Sequence, residues 1–286
     1  MKPAQRSSRR RFLSATGMTA VALAAPWRAV FAGPENAAPT LRAQRLAWAG
    51  VRLRLGKDDL FLDPLANADV WGTALRDELV PFDDAEGARF VLITHRHPDH
   101  FDPVAIRKIV GASGTVVCTP DNAAAVAAAG FKVRLGALYE PVLLNDFTAT
   151  AVPAVDGYGD PQVSWVVNAG GRRIIHCGDT LWHGAWWHIG RQLGPFDAAF
   201  LPINGARFSW RKPISDIPAV LTPEQAVAAA QVMGARLIVP IHYGVSGAEG
   251  YAEMPDVEQA LLAAAHGRNQ DVEMVRPGAW LAWRAT

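Results

Sequence analysis

The sequence predicts an α/β fold in which two αβ halves of similar size form a β-sandwich with helices on its outer faces. Three observations carry this expectation. Continuous apolar runs such as Phe90-Val91-Leu92-Ile93 and Leu237 to Ile241 read as strands buried on both faces. Helix starts marked by a capping residue and a proline, at Asp102-Pro103 and Thr222-Pro223, fall between such runs. The alternation recurs in both halves of a 286-residue chain that is half hydrophobic, enough for one large domain with a sizeable core.

The elements follow in order from residue 43, after a polar linker over 33–42. Arg45 to Trp48, Val51 to Leu55 and an apolar run ending at Phe61-Leu62-Asp63-Pro64 read as a β-meander. The strand Phe90 to Ile93 stops at Thr94. Asp102 caps a helix through about Val110, the strand Thr115 to Cys118 follows, and a second helix is capped near Asp121. Strands are expected at Val142 to Leu144 and Thr148 to Val152, with a hairpin of Val163 to Asn168 and Arg172 to His176 turning at Gly170-Gly171. Strand Ala198 to Ile203, a helix from Thr222, strand Leu237 to Ile241 and a final helix and strand complete the domain over 43–286.

Residues 1–32 have a different character. Ser8-Arg9-Arg10-Arg11-Phe12-Leu13 precedes an uncharged apolar stretch to Ala25, and Val30-Phe31-Ala32 offers small residues suited to a signal peptidase. This resembles a twin-arginine signal cleaved after Ala32. It implies the twin-arginine translocase as a partner and a periplasmic or otherwise exported protein. The apolar stretch is shorter than the roughly 20 residues that span a bilayer. The segment carries six Lys or Arg and no acid, which leaves 22 basic against 27 acidic residues beyond it, near −5. A mildly acidic domain without a basic patch is unsuited to nucleic acid, so the expected partner is a small-molecule substrate. Cys118 and Cys177 sit inside apolar runs, where buried free thiols are common, and their pairing stays open.

The densest chemistry lies at Thr94-His95-Arg96-His97-Pro98-Asp99-His100, where four metal-ligand side chains follow a buried strand within six residues. Imidazoles two apart in an extended loop point the same way, so His95 and His97 can share one metal, while Asp99 and His100 in the following turn face a second. Half of the eight histidines lie at 95, 97, 100 and 242, which is hard to explain by packing.

His-x-His-x-Asp-His after one strand, Gly178-Asp179-Thr180 after a later one and His242 after a third resemble the metallo-β-lactamase superfamily over about residues 43 to 284. The resemblance implies a four-layer αβ/βα sandwich holding two divalent metal ions, zinc first and manganese or iron as alternatives. By matching positions His95 and His97 bind metal one, Asp99, His100 and His242 bind metal two, and Asp179 serves both. The Leu62-Asp63-Pro64 and Gly178-Asp179-Thr180 patterns are similar to the branches of ascorbate-phosphate lactonases and N-acyl-phosphatidylethanolamine phospholipase D.

The chain departs from the family at the third histidine of metal one. It reads Val152-Pro153-Ala154-Val155-Asp156-Gly157 there, and Asp156 is expected to ligate in its place, shifting preference toward manganese or iron. The expected chemistry is hydrolysis of an ester, lactone or phosphodiester by a metal-bridging hydroxide. Asp179 and Asp99, a proton acceptor, are the expected catalytic groups, with His183 as proton donor. His188 lies near enough in sequence to share that role. Tyr158, Trp165, Trp182, Trp186, Trp187, Phe208 and Trp210 are candidates to line a pocket, with Asn204, Arg207 and Arg211 to hold an anionic or carbonyl group. The rival readings are a di-iron oxidoreductase and a non-catalytic metal-binding protein whose site has decayed at Asp156.

Overall fold

The computed structural model describes residues 39–67 and 69–283. The first half of the chain forms β1 (Arg42–Arg45), β2 (Val51–Leu55), β3 (Asp58–Leu62), β4 (Arg89–Leu92), α1 (Pro103–Val110), β5 (Thr115–Cys118), α2 (Pro120–Ala128) and β6 (Lys132–Leu135). These six strands lie side by side in sequence order, an antiparallel meander from β1 to β3 and a parallel run from β3 to β6. The second half adds β7 (Pro141–Leu144), β8 (Phe147–Pro153), β9 (Val163–Ala169), β10 (Arg172–His176), α3 (Trp186–Leu193) and β11 (Ala198–Pro202). It continues through β12 (Arg207–Phe208), α4 (Pro223–Met233), β13 (Leu237–Ile241), β14 (Tyr251–Ala252), α5 (Val257–His266) and β15 (Asp271–Val272). Seven of these strands make a sheet in the order β15-β13-β11-β10-β9-β8-β7, while β12 and β14 pair with each other outside both sheets.

Period-two side-chain alternation sorts the apolar residues into three layers. In β4 and β5, Leu92 and Val117 face the opposite sheet, while Val91 and Val116 face α1 and α2. In β11 and β13, Phe200 and Val239 face the first sheet, and Leu201 and Ile238 face α3 to α5. Both faces of these strands are therefore dry, which is why their sequences read as continuous apolar runs. The result is the expected four-layer αβ/βα sandwich. A one-residue slip in any central strand would exchange its two sets of side chains.

Local signals act as the sequence suggests at most elements. Asp102 caps α1 by accepting the Val104 N–H (2.7 Å), and its second oxygen accepts those of Ala66 and Asn67 (2.8 Å each), tying the segment after β3 to the helix. Thr222 and Gln225 form a reciprocal capping box on α4. Two expectations shift. The first strand is Arg42–Arg45, not Arg45 to Trp48, because the chain reverses over residues 46–50 with Trp48 at φ 58°; the end of the expected linker, Leu41, is accordingly buried. The second helix starts at Pro120 with Thr119 as its cap, one turn position before Asp121.

Cys118 lies in the layer under α1 and α2 and Cys177 in the layer under α3 to α5; both are free. The expected signal sequence, its cleavage site and most of the 33–42 linker lie outside the described residues. Among the described residues no helix is long and apolar enough to cross a membrane.

Candidate metal centre

Four strand ends converge at one edge of the sandwich: the segment after β4 brings His95, His97, Asp99 and His100, and the segments after β8, β10 and β13 bring Asp156, Asp179 and His242. Ligand atoms of His95, His97, Asp156 and Asp179 lie within 4.8 Å of one another, as do those of Asp99, His100 and His242. After β4 the chain closes a turn in which the His97 carbonyl accepts the N–H groups of His100 (3.0 Å) and Phe101 (2.8 Å). That turn separates the first pair of ligands from the second.

The imidazoles of His95, His97 and His100 are each oriented by a partner on the far nitrogen, whereas His242 Nδ1 is buried without one. Asp63, fully buried after β3, accepts the Thr94 N–H (2.7 Å), the Thr94 hydroxyl (2.6 Å) and His100 Nδ1–H (2.9 Å). With its only proton committed to Asp63, the Thr94 hydroxyl oxygen accepts from His95 Nδ1–H (2.9 Å). His97 Nε2–H donates to Asp160 Oδ2 (3.0 Å). This assignment leaves the bare nitrogens His95 Nε2 and His97 Nδ1 facing each other at 2.8 Å. Two lone pairs at that distance repel unless a cation lies between or beside them. Gly178, at φ 63°, lets β10 end against this loop, since a Cβ there would meet Thr94 Oγ1 at 3.0 Å.

The carboxylates complete the arrangement. Asp179 Oδ1 lies 3.5 Å from His95 Nε2, while its Oδ2 lies 3.8 Å from His242 Nε2 and 4.0 Å from His100 Nε2, so one oxygen faces each group. Asp156 Oδ2 accepts the N–H groups of Tyr158 (2.6 Å) and Asp160 (3.0 Å), which turns Oδ1 toward His97 Nδ1 at 3.8 Å. Asp99 Oδ2 accepts Trp48 Nε1–H (3.1 Å). His242 adopts φ 54°, a conformation rare for a side-chain-bearing residue and concentrated at functional sites.

Burial pushes the imidazoles of His95 and His242 well below their ordinary range and raises the Asp179 carboxyl to about 7, with Asp156 and Asp99 adding to the rise against the pull of His100. At His100 burial opposes the charged form, but the carboxylates of Asp99, Asp63 and Asp179 outweigh it and lift the imidazole to about 10. The centre therefore holds positive charge strongly at that position. Among the described residues no Lys or Arg pairs with Asp99, Asp156 or Asp179.

A divalent metal fits these residues. His100 Nε2, His242 Nε2 and Asp156 Oδ1 are buried without a hydrogen-bond partner, a costly state that a cation relieves. Four imidazoles with three carboxylates suit zinc, manganese or iron. A cavity of about 840 Å³ opens over the two groups, with His97, Asp99, Asp179 and His242 in its wall.

Not every expected residue joins the site. His183 is absent from both groups and from the cavity wall: its ring stacks on Trp186 (4.1 Å), its Nδ1 accepts the Ala185 N–H, and burial lowers it to about 4. The structure therefore does not bring it to the ligand groups, where the expected proton donor would act. His188 contacts Tyr139 at 5.4 Å. Tyr158, Phe208, Trp210 and Arg211 line the cavity, whereas Trp165 and Trp186 are core, Trp182 and Trp187 lie elsewhere on the surface, and Arg207 is exposed. Asn204 is buried, donating to Tyr251 Oη (2.6 Å). Asp63 and Asp160, the two orienting carboxylates, carry no ligand motif of their own; only the abrupt Asp-Pro end of β3 marked the first.

Residues 60–243 match the beta-lactamase superfamily domain. A UPF0173 metal-dependent hydrolase of Symbiobacterium thermophilum is 30% identical over 213 residues, 69% of this chain and 84% of that protein. Among solved structures, a novel metallo hydrolase from Ignicoccus hospitalis superposes with a TM-score of 0.65 at 18% identity, over 86% of this chain and 99% of that one. A diiron β-hydroxylase from Streptomyces venezuelae gives 0.67 at 15% identity, over 85% of this chain and 54% of that one. These two likenesses are of fold. Together with the matched domain and the sequence relative, they lead to one conclusion: the chain belongs to the β-lactamase superfamily and is a metal-dependent hydrolase.

Proposed function

We propose that the chain is a binuclear hydrolase of esters, lactones or phosphodiesters, exported through the twin-arginine translocase to act in the periplasm. The observation that carries the binuclear reading is Asp179, whose two carboxylate oxygens face different groups of ligand atoms. His95, His97 and Asp156 would hold one ion and Asp99, His100 and His242 the other, with Asp179 serving both. Zinc is the first expectation, and the third carboxylate, Asp156, favours manganese or iron more than an all-imidazole set would.

When bound, divalent ions supply Lewis acidity that polarises the substrate and brings the pKa of water down to about 7. The chain's own groups do the rest. Asp99, at the cavity wall and steadied by Trp48, accepts the proton released as water attacks and returns it to the leaving oxygen. Asp63 and Asp160 keep His100 and His97 in the tautomers that present bare nitrogens inward. His183 has no part in the proton path.

Elemental mass spectrometry on the purified protein, Asp156→Ala and His242→Ala tests the reading. Two metals per chain, falling to about one in each variant, support it; one metal, unaffected by Asp156→Ala, sinks it. Replacing Arg9 and Arg10 with Lys is expected to hold the protein in the cytoplasm on cell fractionation, and unaltered export would overturn that assignment.

A further inference from the structure

The cavity over the metal-ligand groups is completed by an arc of aromatic rings that no ligand role accounts for. The arc leaves His242 through Trp48 (ring centroids 4.1 Å apart) and Trp71 (5.1 Å), and continues to Tyr251 (4.7 Å) and Phe208 (5.6 Å). It reaches Tyr158, stacked on Phe208 at 4.5 Å, and closes on His97 at 5.5 Å. The imidazoles of His95 and His100 link the two ends at 4.2–5.2 Å, so the rings form a continuous circuit around the opening. One half of that circuit is metal-ligating and the other is apolar.

The apolar half is held out for contact. Phe208 and Tyr251 are register partners in the β12–β14 ribbon, which belongs to neither sheet. Trp210, beyond Phe208, stacks on both rings yet remains 48% exposed at the cavity mouth. An indole left in water beside other aromatic surface, at the mouth of a cavity, marks a place where a ligand removes that surface from solvent.

The charges at the rim narrow the ligand. Asp69 and Glu249 line the cavity together with Asp160, which Arg96 pairs at 3.1 Å, and the one guanidinium in the wall is Arg211, which lies over the Tyr158 ring at 4.1 Å. Away from the metal-ligand groups, whose ions would themselves attract an anion, the rim offers a second charged group of the substrate more carboxylates than cations and no paired arginines.

We infer that the cavity selects uncharged, ring-bearing carboxylic esters or lactones, with the ring against Phe208, Trp210 and Tyr158 and the acyl carbon over the metal-ligand groups. This rests on the hydrolase reading above. In the reaction the oxygen of water bonds to the acyl carbon, the acyl C–O bond breaks, and a proton passes to the leaving oxygen; no oxidant or reductant takes part.

The test compares ethyl phenylacetate with ethyl acetate, which share a leaving group, and bis(p-nitrophenyl) phosphate, on the metal-loaded full chain. Calorimetric binding of phenylacetate and acetate gives a second readout. The ring-bearing ester is expected to lead in kcat/KM by about tenfold, with phenylacetate bound about tenfold more tightly than acetate, and both ratios should shrink toward one in Phe208→Ala and in Trp210→Ala. Trp210 is exposed, so its variant keeps the test valid if Phe208→Ala fails to fold. Ester turnover without preference for the ring, or preference for the phosphodiester, overturns the inference and leaves the hydrolase reading intact. Ring-dependent binding without turnover of any of these substrates supports the subsite and overturns the reaction assigned to the site.

Discussion

The segments after β4 and after β8 both deliver ligands to the same centre, yet they are held in opposite ways. Residues 94–100 are fastened to another strand: Asp63, after β3, accepts three hydrogen bonds from Thr94 and His100 in a fully buried position. The Asp156 side chain is held within its own segment, accepting the N–H groups of Tyr158 and Asp160 two and four residues along, while the backbone of neighbouring Val155 bonds to Thr180 and Leu181. Removing the Asp63 carboxylate disturbs the joint between two strands, whereas removing that of Asp156 alters one turn.

The largest expected effect is on stability. Asp63→Ala strands a buried imidazole and a buried hydroxyl, and should cost about 3–5 kcal/mol in urea unfolding of the metal-free protein. Asp156→Ala, measured the same way, should stay within about 1 kcal/mol; equal losses in the two variants would erase the contrast. Next comes metal selection. Asp156→His restores an imidazole there and should keep two metals while shifting the bound ion toward zinc, read by competition between zinc and manganese. A smaller effect is expected from Asp160→Ala, which frees the far nitrogen of His97 and should weaken metal affinity about 10- to 100-fold without unfolding the chain.

The smallest is a pH effect on the fastened segment. His100 is raised to about 10 when folded, from 6.5, because nearby carboxylates outweigh the cost of burying its charge. A raised folded pKa means that its stabilising contribution is complete below pH 6.5 and is lost as pH climbs through about 10. The Tm of metal-free protein should fall by a few degrees over that window, and Asp63→Asn should move the fall to lower pH. Saturating metal should abolish it, because the ion replaces the proton.

Much of this was legible in the sequence wherever local and global demands coincide. The strand Phe90 to Ile93 is dry on both faces and its residues say so; the proline and cap at Asp102-Pro103 start α1 as expected. The ligand-rich loop was readable because its residues are adjacent. What escaped depends on partners distant in sequence. The helix Trp186–Leu193 carries a glycine that reads as a breaker, yet a Cβ at Gly190 would meet the Val232 carbonyl at 2.7 Å, so the residue serves close packing on α4. Strand β6 is polar because it is the sheet edge. Asp160 looks like any loop carboxylate until the fold brings it to His97. His183 was misleading for the converse reason, since its nearness to Asp179 along the chain is undone by the turn into α3.

Cys118 and Cys177 lie in different apolar layers with both sheets between them, and burial raises their thiols to about 11 and about 12. Neither thiol can be reached, ionised or joined to the other while the sandwich is closed. The pair is therefore a built-in clock for the opening of each half: a thiol-specific reagent reacts with Cys118 only when the α1–α2 side comes apart and with Cys177 only when the α3–α5 side does. Following the two positions separately by peptide mass would show whether the halves open together or one before the other.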